Sequence, residues 1–358
     1  MLSLKIITFL STYIIILTLL TKLTYQDIVP SFYWNSFTEP CIKHGVLIPL
    51  EEYGIIANTN QSFQGDHIVI FYERDVGLYP YLKYINSTHN QFFNGGIPQN
   101  TDMIAHLKKL RDDIDKIIPN PEFDGLAIID VEEWRPTYDT NWSAKRIYRE
   151  ESVQHVYTRF PYLSRHEAIE LAKKEFDDSA YEFLLKTLKE CQTRRPKAKW
   201  GFYGFPICDE NGLNRNSTFC YREHDDKLIN LLKYADALYP SAYLHFGRSL
   251  ETNKLFIKDV LDESKRMASI IKDLDFGEKL IYVYHKFELN PYSKPDDIVF
   301  YSEELLDISI KQTIDSGVDG VILWTTSNNM LYRCSYIKSY VENTLGPYIK
   351  NIIYKNLF

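Results

Sequence analysis

The sequence predicts an α/β protein folded as a single TIM-like (β/α) barrel. Seven short runs of apolar, β-branched and aromatic residues are typical of strands buried on both faces. Segments with helical spacing separate these runs, and alternation of strand and helix along a whole chain favours a parallel sheet. The 358 residues include no linker rich in proline, glycine or serine. A closed or nearly closed barrel is therefore favoured over two open sheets.

The predicted elements follow one another in a regular order. Strands are predicted at residues 31–37, 67–73, 125–132, 199–206, 237–244, 279–286 and 320–326. Helices are predicted at residues 103–117, from 164 toward 191, at 254–271 and at 302–314, with a short tail helix at 335–343. Apolar residues of the first helix lie on one stripe. Ser164 and Glu167 form a capping-box signal at the start of the second.

The first residues, MLSLKIITFLSTYIIILTLLTK, predict a secretory signal peptide. Lys5 precedes an apolar run that is shorter than the roughly 20 residues of a comfortable membrane span. Residues 1–25 are therefore expected to be removed and residues 26–358 to form the barrel. An uncleaved signal anchor is the alternative. The protein is expected to be secreted, with a lysosomal destination left open.

Five cysteines are present, and in an oxidising compartment disulfides are their usual state. Cys208 and Cys220 are close enough in sequence to close a local loop. Cys41 and Cys334 lie near the two ends of the mature chain and are able to tie them together. Cys191, on a predicted helix, is left over. Candidate glycosylation sequons stand at Asn60, Asn86, Asn141 and Asn216.

Charge and composition narrow the functional classes. A formal net charge of −7 argues against a nucleic-acid binder, which would normally show a basic stripe, although a local basic groove stays compatible with it. The 27 tyrosines would suit a cleft that stacks on sugars.

Two acids end the predicted strand in FDGLAIIDVEEWRP, at residues 123–136. Asp130 and Glu132 are two residues apart, so their side chains face one side with Cα atoms roughly 6–7 Å apart. At the carboxyl end of a barrel strand, where such folds carry their chemistry, the more desolvated carboxyl would have a raised pKa. A protonated carboxyl can act as a general acid, and paired acids cut glycosidic bonds. A strand running into a solvated acidic loop is the alternative.

Three more predicted strand ends favour the catalytic interpretation. They carry aromatic residues in polar company, namely Tyr203 in WGFYGFP, Tyr243 in LYPSAYL and Trp324 in GVILWTTSNN. Hydroxyl and indole groups at a barrel mouth suit the faces and hydroxyls of carbohydrates.

Eight motifs together resemble the hyaluronidase family of glycoside hydrolases (family 56), particularly its short venom-type members. They are YWNSFTEPC, IVIFYERDVGLYPY, NGGIPQN, FDGLAIIDVEEWRPTYDTNW, KWGFYGFPIC, LYPSAYL, DGVILWTTSNN and LGPYIKNI. The resemblance covers residues 34–349 in the family's order. It implies a distorted barrel of about seven parallel strands and an enzyme that hydrolyses β-1,4 links in hyaluronan, and in chondroitin as a further substrate. No metal or cofactor is implied.

The resemblance also assigns roles to individual residues. Glu132 matches the proton donor, and Asp130 matches the partner that positions the substrate's N-acetyl group. The acetamido oxygen, rather than an enzyme carboxylate, attacks the sugar, and the bond is cleaved with retention. Tyr203 and Tyr243 are implied to hydrogen-bond around the N-acetylhexosamine, and Trp324 to wall its pocket.

Other assignments are less direct. Tyr72 and Glu73 match a substrate-lining strand end. Arg135 would hold the carboxylates or a substrate glucuronate, with a structural ion pair as the alternative. The implied disulfides are Cys41–Cys334 and Cys208–Cys220, and Cys191 has no family partner. A monomer acting on a glycosaminoglycan polysaccharide is expected, without nucleic acid and without stable membrane insertion.

Departures from the family keep alternatives open. Val131 stands where many relatives have an aromatic residue and is expected to point away from the cleft. WTTSNN replaces a loop more like WGSSDD, which leaves fine specificity open. A chitinase-like hydrolase is a rival, but Ile128 stands where a further Asp would be needed. A chondroitin-preferring enzyme and a non-catalytic glycan-binding relative are the other two alternatives.

Overall fold

The computed structural model describes residues 29–86, 89–208, 220–245, 247–291 and 298–357. The predicted signal peptide and the Asn216 sequon lie outside these residues. Among the described helices, none is both long and apolar enough to cross a lipid bilayer.

Parallel strands form two sheets, and one antiparallel hairpin is added to them. The strands are β1 (Ser31–Ser36), β2 (Ile55–Ala57), β3 (Ile68–Phe71), β4 (Tyr81–Asn86), β5 (His89–Phe93), β6 (Leu126–Ile129), β7 (Lys199–Phe202), β8 (Ala237–Leu238), β9 (Leu280–His285) and β10 (Gly320–Thr325). One sheet has the order β2-β1-β10-β9-β8, the second has the order β3-β6-β7, and β4 pairs with β5. A single parallel bridge between Tyr203 and Tyr239 joins β7 to the β8 end of the larger sheet.

The mixed α/β fold is confirmed, and a strand lies within each of the seven predicted segments. A complete ring of strand ladders is not resolved among the described residues, because β3 does not pair with its neighbours β1 and β2. Asn58, directly after β2, takes the place of a ladder partner. Its side chain accepts from Ile68 N at 2.9 Å and donates to Ile68 O at 2.9 Å. The missing pairing is thus replaced by one buried amide.

The two sheets nevertheless share one interior. Inward-facing residues of both sheets pack into a single buried cluster, made of Ile68, Ile70, Leu126, Ile128, Ala237, Tyr239, Tyr284 and Ile322. Alternation along parallel strands produces this arrangement, since every second side chain faces the same side. The second face of each sheet is covered by helices, as strands of this composition require.

Ten α-helices are described around the sheets. They are α1 (Glu39–Lys43), α2 (Met103–Ile117), α3 (Arg146–Arg159), α4 (Arg165–Arg194), α5 (Arg222–Leu232), α6 (Leu250–Asp273), α7 (Glu303–Leu306), α8 (Gln312–Asp315), α9 (Met330–Tyr340) and α10 (Gly346–Leu357). A π-helical turn joins α7 to α8, and a second joins α9 to α10. The capping box of Ser164 and Glu167 is confirmed at the start of α4.

The predicted tail helix at residues 335–343 is too short. Helical structure begins at Met330 and continues to Leu357. Ile337, Val341, Leu345 and Ile349 are fully buried at a spacing of four residues, so one continuous apolar stripe carries the helix past the predicted end. Pro347 does not stop it, because proline is tolerated in the first turn of a helix.

Covalent and ionic links hold α9 against the strand ends. Cys41 is bonded to Cys334 and Cys208 to Cys220, which confirms both disulfides, and Cys191 is a free, buried thiol. Beside Cys334, the 2% exposed Arg333 pairs with the 1% exposed Glu288, which follows β9.

The same guanidinium reaches the loop after β10. It donates to Thr325 Oγ1 at 2.7 Å, to Thr326 O at 3.0 Å and to Asn328 O at 2.8 Å. The ends of β9 and β10 are therefore fixed to one helix by a single buried cation.

Arg333→Met should lower the free energy of unfolding by about 3–5 kcal/mol, because it leaves the Glu288 carboxylate buried and unpaired. Urea unfolding followed by circular dichroism measures the loss. Combining it with Glu288→Met should cost less than the sum of the two single changes. Lys258→Met, which breaks an exposed pair with Asp262, is the matched control and should stay within about 0.5 kcal/mol of the parent.

Candidate active site

Asp130 and Glu132 follow β6 and line one cavity, as their spacing predicts. Asp130 continues the ladder, since its backbone N–H donates to Phe71 O at 2.8 Å, and its side chain is 5% exposed. Glu132 is more open to solvent, and its backbone N–H donates to Glu73 Oε1 at 2.9 Å. Glu73 thus fixes the backbone of Glu132.

The cavity has a volume of about 260 Å³ and is enclosed by residues at the ends of the strands from both sheets. Its lining consists of Ile70, Tyr72, Asp130, Glu132, Tyr203, Ser241, Tyr243, His245, Phe256, Tyr284, Lys286 and Trp324. Every predicted catalytic residue is in this set, and so is Tyr72. The predicted site residues therefore lie together around this cavity, except for Glu73 and Arg135.

Aromatic side chains form one wall of the cavity. The rings of Tyr243 and Trp324 stack with centroids 5.9 Å apart, and Trp324 is hydrogen-bonded to the Tyr72 hydroxyl. Tyr203 donates to Ser241 Oγ at 3.1 Å and is hydrogen-bonded to Tyr243. Burial raises the pKa of both the Tyr203 and Tyr243 phenols, which therefore remain protonated donors.

Burial also raises the pKa of both carboxyls. For Asp130 the pKa is well above its ordinary value, because burial is reinforced by the negative charges of Glu132 and Glu73, while Lys145 opposes the shift. Burial raises the pKa of Glu132, against the opposing charge of Lys145. Glu132 has an exposed surface, yet protein atoms crowd its carboxyl closely enough to weaken its hydration. Both groups therefore hold a proton to a higher pH than an ordinary carboxyl.

The Asp130 carboxyl also has an unsatisfied atom. Its Oδ1 is buried, and no donor among the described residues reaches it. A buried carboxylate oxygen without a partner is costly, so an external donor at this position would be favourable. Asp130 itself is a residue of the cavity lining.

A second cavity of about 80 Å³ adjoins the first, and Glu132 and Tyr203 line both. Lys145 and Arg135 are among its lining residues. Lys145 Nζ donates to Glu132 O, and the Arg135 guanidinium lies 4.7 Å from the Trp142 ring centroid and donates to Thr140 O at 3.0 Å.

Arg135 also lowers the pKa of Glu132 by its charge, which places it near the carboxyl. Val131 lines this smaller cavity too. Val131 is absent from the lining of the large cavity and packs against the hydrophobic core, so the expectation that it points away from the cleft stays a prediction.

Sequence reasoning missed several lining residues. Ser241 and Lys286 belong to the large cavity and Lys145 to the small one. Lys286 follows β9, so its place at a strand end was the only available signal. Ser241 stands two residues before Tyr243, on the same side of an extended chain. Lys145 carried no signal, because a loop brings it back to the cleft.

The sequon at Asn141 is unsuited to carry a glycan in the folded chain. Its side chain is 0% exposed, and Nδ2 donates to Arg135 O at 3.0 Å and to Thr137 O at 2.8 Å. Asn60 and Asn86 are exposed.

Peptide mapping of the protein secreted from eukaryotic cells should therefore find Asn141 unmodified. Removing glycans enzymatically in heavy-oxygen water marks each occupied asparagine as aspartate, and mass spectrometry reads the mark. Asn60 and Asn86 are the internal comparison within the same digest. A marked Asn141 in the folded, secreted fraction would contradict the buried position of its amide.

Taken together, two desolvated carboxyls in an aromatic cleft at the ends of parallel strands are the equipment of a glycoside hydrolase. Comparison with known proteins gives the family. The family model described as hyaluronidase matches residues 23–356, and the chain belongs to the hyaluronidase family of glycoside hydrolases.

Individual relatives agree with this assignment. The chain is 34% identical over 314 residues to a chondroitin hydrolase of Caenorhabditis elegans, covering 86% of this chain and 67% of that protein. It is 34% identical over 328 residues to hyaluronidase-1 of Mus musculus, covering 89% of this chain and 68% of that protein. The crystal structure of bee venom hyaluronidase in complex with a hyaluronic acid tetramer superposes with a TM-score of 0.83 at 29% identity, covering 90% of this chain and 99% of that one.

Proposed function

We propose that the chain is a secreted endo-β-N-acetylhexosaminidase that hydrolyses β-1,4 links of hyaluronan. Chondroitin is the alternative substrate. The bee venom relative was crystallised with a hyaluronic acid tetramer, whereas the relative from Caenorhabditis elegans is a chondroitin hydrolase. Both kinds of named relative reach 34% identity, so identity alone does not choose between the two polymers.

The observation that carries the proposal is that Asp130 and Glu132 line one cavity together with Tyr203, Tyr243 and Trp324. An acetamido N–H of the substrate would donate to the carboxylate of Asp130. The acetamido carbonyl oxygen would attack the anomeric carbon as the glycosidic bond breaks and Glu132 protonates the leaving oxygen, forming an oxazolinium-like intermediate. Water would open the intermediate with overall retention of configuration. Tyr203 and Tyr243 would donate to the same sugar, and Trp324 would wall the acetamido methyl group.

Glu132 is the proton donor in this scheme. A general acid must reach the leaving oxygen, and Glu132 lines both cavities, whereas Asp130 lines only the larger. The boundary between the cavities is where a bond between two bound sugars would lie. Its raised pKa keeps Glu132 protonated at a pH at which an ordinary glutamate would have ionised.

Four further features are part of the proposal. The shared interior of the two sheets is the core of a distorted barrel with its site at the carboxyl ends of the strands. Residues 26–358 form its single domain, after a signal peptide at 1–25. Two disulfides favour an oxidising, extracellular compartment. The protein is proposed to act as a monomer.

Glu132→Gln should lower kcat on hyaluronan by at least about 10³-fold, since it removes the transferable proton. Asp130→Asn should also lower kcat strongly, because it removes the carboxylate that orients the acetamide. Reducing-end release from hyaluronan, unsulfated chondroitin and chitin oligomers measures both and identifies the substrate.

Glu122→Gln is the matched control, because Glu122 is an exposed carboxylate that precedes the same strand. Its rate should equal that of the parent. Unchanged turnover in Glu132→Gln would refute the assignment of the proton donor. Binding of these polymers without any turnover by the parent protein would instead favour a non-catalytic relative.

The pH profile of kcat/KM should fall on its alkaline side as the raised pKa of Glu132 is passed, because the acid loses its proton there. Lys145 opposes that rise, so Lys145→Met should move the falling limb to higher pH. Lys145→Arg keeps the charge and should leave the limb near its original place. A limb that moves to lower pH in Lys145→Met would contradict this electrostatic role.

A further inference from the structure

Lys286 lies in the large cavity, directly after β9, and no role has been given to it so far. Its Nζ is 4.5 Å from the ring centroid of Tyr243 and 5.5 Å from that of Trp324. These two rings form the aromatic wall. The ammonium group is thus placed against the same surface that would receive the hexosamine.

The backbone on both sides of Lys286 is held firmly. His285 is fully buried, with Nε2 at 2.8 Å from Thr313 Oγ1. Phe287 is fully buried as well, and Glu288 is committed to Arg333. Lys286 is therefore the residue of this segment that faces the cavity, and its ammonium is pre-positioned before a substrate arrives.

The charges around the large cavity indicate what the Lys286 ammonium can bind. The carboxyls of the large cavity are Asp130 and Glu132, and the whole chain has a formal net charge of −7. A polyanionic chain that enters such a site meets repulsion unless a cation stands beside it. Lys286 provides that cation in the large cavity, and Arg135 and Lys145 provide it in the small one.

We propose that Lys286 is a specificity-determining residue whose ammonium binds an anionic oxygen of the glycosaminoglycan held in the large cavity. The oxygen belongs either to a uronate carboxylate or to a sulfate ester, and the ammonium recognises both by the same charge-assisted hydrogen bond. The inference rests on the proposed function, because it takes a glycosaminoglycan as the ligand. The proposal predicts that loss of the Lys286 charge weakens activity on anionic polymers and leaves activity on an uncharged polymer unchanged.

The test compares Lys286→Gln and Lys286→Arg on three polymers. Hyaluronan carries carboxylates only, chondroitin sulfate carries carboxylates and sulfates, and carboxyl-reduced hyaluronan carries neither. Lys286→Gln should lower kcat/KM on hyaluronan by at least about tenfold, mostly through KM, and should leave carboxyl-reduced hyaluronan unchanged. Lys286→Arg should restore most of the loss. A loss on chondroitin sulfate alone would identify sulfate as the bound group.

Two controls test whether a lower rate comes from weaker binding of the polymer rather than from a general effect of losing a lysine or from slower catalysis. Lys197→Gln removes an exposed lysine elsewhere and should change no rate. Calorimetric binding of hyaluronan oligosaccharides to Glu132→Gln, with and without Lys286→Gln, repeats the comparison without turnover and reports on the site even if the parent protein cleaves nothing. Equal losses on charged and carboxyl-reduced polymers, or no loss on any, would overturn the role of Lys286. Failure of the parent protein to bind any of the three polymers would overturn it as well.

Discussion

The buried ion pair between Glu288 and Arg333 is the interaction on which the aromatic wall of the cleft depends. Glu288 follows Lys286 by two residues, and Arg333 donates to Thr325, the residue after Trp324. One guanidinium therefore fixes the ends of two neighbouring strands, and each of these strands places a side chain in the large cavity. The Cys41–Cys334 disulfide, next to Arg333 in the chain, ties the same helix to the segment after β1. A charge buried this deeply is costly unless it is fully hydrogen-bonded, and here it is.

On the opposite side of the cavity, the carboxyl pair is left without such compensation. Asp130 is almost as buried as Glu288, yet its Oδ1 has no donor among the described residues, and its pKa is raised by burial first. The backbone around the pair is nonetheless well held, by Glu73 and by Lys145. The backbone at the acids is thus fixed by hydrogen bonds, whereas the Asp130 carboxyl keeps an oxygen without a donor. Such an unsatisfied buried carboxyl lowers stability, and a local cost of this kind is expected at a functional site.

Much of this could be predicted from the sequence, because buried strands and their polar ends leave local patterns. Seven of the eight described parallel strands lie in segments predicted in this way, whereas β2 was missed, and both acids and the three aromatic residues line the large cavity. The missing ladder between β3 and its neighbours β1 and β2 could not be predicted, because strand pairing depends on residues that are distant in the chain. Hydrogen bonds from the single amide of Asn58 take its place. The cavity-lining positions of Lys145, Ser241 and Lys286 were not predicted, because one lysine or serine carries no periodic signal. The buried sequon at Asn141 was invisible for the same reason, as burial is a tertiary property.

The roles proposed for the two acids show where a physical rule drawn from the sequence is insufficient. Desolvation alone would choose Asp130 as the proton donor, because it is the more buried of the two. The position of each carboxyl relative to the cavities favours Glu132 instead. Glu132 stands between the two cavities, where a glycosidic oxygen would lie, and Asp130 is recessed in one of them. A raised pKa therefore does not by itself identify the acid catalyst, and geometry decides which of two carboxyls with raised pKa values can deliver a proton. The recessed carboxyl is better placed to orient a group of the substrate than to protonate it.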